Sequence, residues 1–272
     1  SLGAAMTMAF IVPVLGYSFL KNRVTRLDAA AVAAAYGSVS AVTFVTAMQF
    51  LESAGLQFGG HMAVAMVLME SPAIIMAVLL ANALRHAQTQ PALATAGGRS
   101  TATLVGRGVD PNLSIGKILH ESFTDGAHLL LLGSMAVGWI SGESGKAMMQ
   151  PFSGDLFKGM LAFFLLDMGL MVARNFKEAR KASPVLIAYA ALGPLVHASL
   201  ALGLAWLLSL PVADAALLMV LSASASYIVV PAVLRYAIPE ANPALYFGLS
   251  LGVTFPINIL MGIPIYTALA QR

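Results

Sequence analysis

The chain has 272 residues, of which 59% are hydrophobic and only 10% charged, with a mean hydropathy of +0.84. A soluble domain of this length carries roughly 25% charged residues, so most of this surface faces something other than water. The net charge of +3 is small and spread over short loops, which excludes a nucleic-acid-binding face, and the lack of cysteine excludes disulfides and thiolate metal sites.

A helix that crosses a bilayer needs about 20 predominantly apolar residues. On that basis the sequence predicts an all-α, polytopic membrane protein with eight transmembrane segments. In chain order they are Leu2–Leu20, Ala29–Met48, Met62–Leu84, Phe123–Ser141, Leu156–Ala173, Val185–Leu208, Ala213–Leu234 and Pro243–Ala270. The fourth is short for a full span. The seventh contains Ser222, Ser224, Ser226 and Pro231, which predicts a break inside it. The one long connection, Arg85–Asn112, is rich in Gln, Thr, Gly and Ala, and Ser114–Ser122 reads as a short interfacial helix after it. The chain enters an apolar helix directly after Ser1 with no charged leader, which argues against a signal peptide and for a start inside a longer natural chain.

Threading eight spans puts Lys21, Arg23, Arg26, Arg85, Arg99, Arg107, Lys117, Arg174, Lys177, Arg180, Lys181 and Arg235 on one side. The other side keeps only Lys146, Lys158 and Arg272. Basic loops stay cytoplasmic, so the long linker is expected inside, both ends of the sequence outside, and the protein in the cell's inner (plasma) membrane.

An internal repeat follows. The run from Asp28 (DAAAVAAAYGSVSAVTFV) aligns without gaps on the run from Asp214 (DAALLMVLSASASYIVVP), placing Ser38 on Ser224 and Ser40 on Ser226. Further on, the stretch around Pro72 answers the one around Pro256, and Pro13-Val-Leu answers Pro194-Leu-Val. The two three-helix units start on opposite sides of the membrane. Inverted repeats with matching interruptions point to a secondary transporter. Two helices precede the second unit, so two more are expected before Ser1, giving a ten-helix, five-plus-five fold with two broken helices. The domain reading is residues 1–84 as the remainder of the first repeat, 85–122 as cytoplasmic linker and interfacial helix, and 123–272 as the second repeat.

The duplicated serine stretches are the leading candidate site. If both helices break there, half-helix N-termini meet near the midplane, where free N–H groups and positive dipole ends favour an anion. Ser38, Ser40, Thr43, Ser222, Ser224, Ser226 and Tyr227 are the expected substrate-binding residues. Close packing of membrane helices through small residues is the plainer alternative. Ionisable residues inside spans are costly and usually functional. Glu70 stands beside Ser71-Pro72, and with Thr43, Thr254 and Asn258 it offers oxygen atoms suited to a hard cation such as sodium; proton carriage by Glu70 is the rival role. Asp167 and His197 are weaker candidates, the latter reading first as a packing residue. Asp28 and Asp214 read as helix N-caps. No nucleophile–base pair, glycine-rich phosphate loop or HExxH pattern is present, so the protein is not expected to be an enzyme, nor to need a cofactor beyond a sodium ion.

At these same residues the chain resembles the sodium-dependent bicarbonate transporter family. The resemblance rests on Gly37-x-Val39-Ser40-x-x-Thr43, Pro72-Ala73, HESF-x-x-G from His120, Leu156-Phe-x-Gly, Met168-Gly169, Pro194-x-Val-His197, the serine triad, and Leu234-Arg235-x-x-Ile-Pro-x-Ala-Asn-Pro243. It implies sodium-coupled bicarbonate uptake by a core domain moving against a scaffold, a homotrimer, and a PII-like regulator on the cytoplasmic side. The chain departs from the family pattern at Tyr227, where an acidic residue is usual, at Val229-Val230-Pro231-Ala232, and at Glu70 in place of aspartate. These departures keep open a proton-coupled or uncoupled carrier of another small carboxylate. A membrane sensor or assembly platform that docks a partner through residues 85–112 is a further alternative.

Overall fold

The computed structural model describes residues 1–95, 126–179 and 183–272, and among them every element is helical. Twelve α-helices follow in order. They are α1 (Leu2–Leu20), α2 (Arg26–Gly37), α3 (Ala41–Ser53), α4 (His61–Thr95), α5 (Gly126–Gln150), α6 (Phe157–Ala179), α7 (Pro184–Leu207), α8 (Val212–Ala223), α9 (Val229–Ala237), α10 (Pro243–Leu249), α11 (Phe255–Ile257) and α12 (Ile263–Ala270). π-Helical turns at Pro151–Leu156, Ser250–Thr254 and Asn258–Gly262 join α5 to α6 and α10 through α12 without an intervening loop.

Five helical stretches among the described residues are long and apolar enough to cross a membrane: Leu2–Leu20, Arg26–Ser53, His61–Ala83, Pro184–Leu207 and Pro243–Ala270. This corrects the expectation of eight spans and the ten-helix, five-plus-five scheme built on it. The reasons are local. The expected seventh span is cut after Ala223 into α8, with 12 residues, and α9, with 9, which resumes only at Val229, so no long apolar helix forms there. By contrast, α2 and α3 follow one another closely enough to make the stretch Arg26–Ser53. In α5 the apolar run ends at Ile140, and Gly142 leaves helical geometry at φ 56°, ψ −149°. Lys158, Asp167 and Arg174 fall within one span length of α6. The linker boundary also moves, because α4 stays helical through Thr95. The interfacial helix expected at 114–122 lies outside the described residues.

Small residues set the core. Ala29–Ala35 of α2 are all buried, and the helix is enclosed by α1 and α4. A Cβ on Gly37 would stand 2.5 Å from Pro13 Cβ, and one on Gly16 2.5 Å from the Tyr189 hydroxyl. Backbones approach this closely only where side chains are nearly absent. A second apolar core joins α8, wholly buried from Ala213 to Ala223, to α7, α12 and the inner faces of α3 and α4. The outward faces are apolar too: Phe10, Val14 and Leu15 on α1, and Leu192, Val196, Trp206 and Leu207 on α7, are exposed. Continuous exposed apolar faces of this size suit lipid.

Asp28 and Asp214 are not the N-caps expected. Thr25 caps α2, its hydroxyl oxygen accepting from Asp28 N at 3.1 Å, and Pro211 occupies the cap of α8. Each aspartate instead stands in the first turn at the third helical position, where the helix dipole favours a carboxylate.

Candidate functional site

Both duplicated serine stretches interrupt a helix. α2 stops at Gly37 with Ser38 as its extended C-cap, and α8 stops at Ala223 with Ser224 in the equivalent place. Two extended segments then cross. Ser226 N donates to Ala35 O at 2.7 Å, and Ser40 N donates to Ser224 Oγ at 3.0 Å. Each strand thus satisfies a group that the other helix's break leaves open. α3 begins with Ser40 as N-cap, its Oγ accepting from Thr43 N at 3.2 Å and from the Thr43 hydroxyl at 3.0 Å. Ser226 Oγ likewise accepts from Val230 N at 3.2 Å ahead of α9.

The first amides of α3 and α9 have no carbonyl a turn before them. Ser38 Oγ, Ser222 Oγ and Tyr227 Oη are buried without hydrogen-bond partners among the described residues. The Tyr227 hydroxyl lies next to Ser40 but out of line for a well-formed bond, and its ring packs edge-on against Phe255 at 5.2 Å. No lysine or arginine is among these residues. The crossing therefore gathers neutral donors and the N-termini of α3 and α9, an arrangement of the kind that suits an anion.

The four residues expected to hold a cation sit differently. Thr43 belongs to the crossing through Ser40. Thr254 Oγ1 donates to Ala190 O at 2.7 Å and pairs with the Tyr36 hydroxyl at 2.7 Å. Asn258 Nδ2 donates to Ala223 O at 2.8 Å, and its Oδ1 accepts from the Tyr266 hydroxyl at 3.0 Å. Thr254 and Asn258 therefore tie the last span to the ends of α2 and α8, one tether per break. Glu70 is buried in α4. Among the described residues no three His, Asp or Glu side chains form a metal cluster.

Tyr36, Tyr189 and Tyr266 were not singled out from sequence. Tyr36 and Tyr189 meet edge-on at 5.0 Å behind the α2 break, and Tyr189 also meets His197 at 6.2 Å. A lone tyrosine at the end of an alanine run (AAAVAAAYG) was the available signal. His197 is buried against that ring, but its Nδ1 has no hydrogen-bond partner among the described residues, unlike the hydrogen-bonded packing residue expected. Asp167 is exposed on α6.

The sequence pattern of the Na+-dependent bicarbonate transporter superfamily matches residues 1–271. The chain belongs to that superfamily. Among curated proteins no match is found. As a superfamily member it is a secondary transporter of small anions and not an enzyme, and its apolar helices fit a polytopic membrane protein. Membership leaves cargo and coupling ion to be assigned to this particular chain, whose crossing carries Tyr227 between the serines and α9.

Proposed function

We propose that this protein couples sodium entry to the uptake of bicarbonate or a similar small anion across the inner membrane by alternating access. The observation that carries the reading is the pair of crossed helix breaks with buried, unpartnered hydroxyls at Ser38, Ser222 and Tyr227. A planar trioxygen anion would take the amides of the α3 and α9 N-termini together with hydroxyls of Ser38, Ser40, Thr43, Ser222, Ser224 and Ser226. Glu70, with oxygens of Thr43, Thr254 and Asn258, is the proposed cation set. Trimeric assembly and a PII-like regulator on the cytoplasmic face follow from the family resemblance and are proposed with it.

The test is uptake of labelled bicarbonate into proteoliposomes that hold the full-length protein, with and without an inward sodium gradient. Sodium-stimulated uptake is expected. Uptake indifferent to sodium but driven by a pH gradient would favour a proton-coupled carrier of a small carboxylate, the reading that Tyr227 in place of an acid supports.

A further inference from the structure

A cleft opens between α1 and α4 on the outer surface of the bundle. Val14, Tyr17 and Ser18 of α1 form one wall and Met76, Leu79 and Leu80 of α4 the other, around a volume of about 370 Å³. Apart from the hydroxyls of Tyr17 and Ser18 the lining is hydrocarbon and thioether, with no charged group in it. Leu79 is 45% exposed, so the cleft is open on its outer side. Both walls belong to helices long and apolar enough to cross a membrane, so what lies outside the cleft is lipid.

One end of the cleft is basic. Val14, Tyr17, Ser18 and Lys21 recur at helical spacing and share one face of α1. Lys21 keeps helical geometry at φ −54°, ψ −24°, and its amide donates to Tyr17 O, so that face runs unbroken from the cleft to the lysine. Arg23 and Arg26 follow in the turn into α2, both exposed. The Arg23 guanidinium lies over the Phe19 ring, 3.9 Å from its centroid, which holds this cation against the apolar surface. Lys21, Arg23 and Arg26 enter no ion pair among the described residues. Asp28, in the first turn of α2, directs its oxygens to the Thr25 hydroxyl at 2.6 Å and Asn242 N at 2.7 Å, and to none of these cations. A single span separates α1 from α4, so the two run the same way across the membrane, and Arg85 follows Leu80 on α4 towards the same side. That is the side on which basic loops are expected, the cytoplasmic one.

We propose that the α1–α4 cleft and the Lys21–Arg26 turn together bind one anionic phospholipid of the cytoplasmic leaflet. An acyl chain fills the cleft along the two helices, the hydroxyls of Tyr17 and Ser18 meet the ester region, and the phosphate stands among Lys21, Arg23 and Arg26. Basic pockets between membrane helices on the cytoplasmic side recognise anionic headgroups by this combination. A protein helix, about 10 Å across with its side chains, would lie over the cleft and leave the three cations unanswered. A zwitterionic lipid would fill it and neutralise them only in part. α1 and α4 enclose α2, so the lipid braces the wall around that helix.

The experiment is native mass spectrometry of the full-length protein in detergent, titrated with dioleoyl phosphatidylglycerol and, separately, with dioleoyl phosphatidylcholine. One phosphatidylglycerol per chain should be retained, with phosphatidylcholine bound roughly tenfold more weakly. Arg23→Gln should lower the phosphatidylglycerol affinity about fivefold, the contribution of one basic residue at an anionic surface. Leu79→Trp should lower it at least as much by filling the cleft, and because Leu79 faces outward this variant should keep the wild-type melting temperature. Lys158→Gln on α6, in neither wall of the cleft, should leave the affinity unchanged. Equal binding of the two lipids, an unchanged affinity in Leu79→Trp, or an equal loss in Lys158→Gln would overturn the proposal, the last two by reducing it to diffuse attraction between basic loops and an anionic surface. Copies of the chain that separate in Leu79→Trp while lipid stays bound would overturn it too, and give the cleft to a second protomer. The titration uses neither bicarbonate nor sodium, so it stands or falls separately from the assignment of cargo and coupling ion.

Discussion

Asn258 and the crossing serines make different demands on a substitution. Asn258→Leu leaves Ala223 O and the Tyr266 hydroxyl buried without partners. Each stranded group costs about 1–3 kcal/mol, so the detergent-solubilised variant should melt several degrees lower and carry less anion. Ser226→Ala removes the acceptor for Val230 N and a hydroxyl of the proposed anion site. Loss of such a hydrogen bond costs about 1 kcal/mol, so the fold should survive while uptake drops roughly tenfold. Near-normal uptake by both Ser40→Ala and Ser226→Ala would move the anion away from the crossing. The pair thus separates scaffold from site: one variant is read in a melting curve, the other in a flux assay.

At the scale of the element, α2 leaves little room at its C-terminal end. Gly37→Ala would place a methyl 2.5 Å from Pro13 Cβ, in backbone-level contact between α1 and α2. Overpacking of this kind costs about 1–3 kcal/mol, whereas Gly3→Ala, with nothing within 4 Å, should be neutral in the same melting assay. The interruptions of α2–α3 and α8–α9 were legible beforehand because both are local events: small hydroxylated residues at matched positions weaken a helix wherever it packs. The tethers were not legible. Thr254 and Asn258 stood out as polar residues in an apolar run, but two of their partners, Ala190 O and Ala223 O, are backbone atoms that carry no sequence signature, and the other two are hydroxyls of tyrosines far away in sequence or in an apolar run. Asp28 and Asp214 read as caps because capping is a rule about one helix, and their bonds, to Asn242 N and Gly59 N, reach the start of another. The span count failed for a related reason: the break near Ser224 was expected but still counted inside one span, and hydropathy averaged over about 20 residues cannot see a chain leaving helical geometry at Gly142.

At the scale of the whole molecule, an apolar exterior surrounds a small polar crossing, and the proposed work is exchange of that crossing between two aqueous faces. A sodium gradient should stimulate uptake by the intact protein, and Glu70→Gln should weaken that stimulation more than it weakens uptake without sodium, measured in the same vesicles. The crossing also has a bearing on how the chain is made. Ser40 N finds Ser224 Oγ across 184 residues of sequence. While a ribosome has delivered only the first half, α2 and α3 end inside lipid with their backbone groups unanswered, at several kcal/mol for each such group. The early helices therefore enter the membrane on a provisional footing, dependent on the translocon or water until α8 arrives. A nascent chain stopped after residue 179 should be cleared by quality-control proteases far faster than the complete one, and supplying residues 183–272 as a separate polypeptide should slow that clearance.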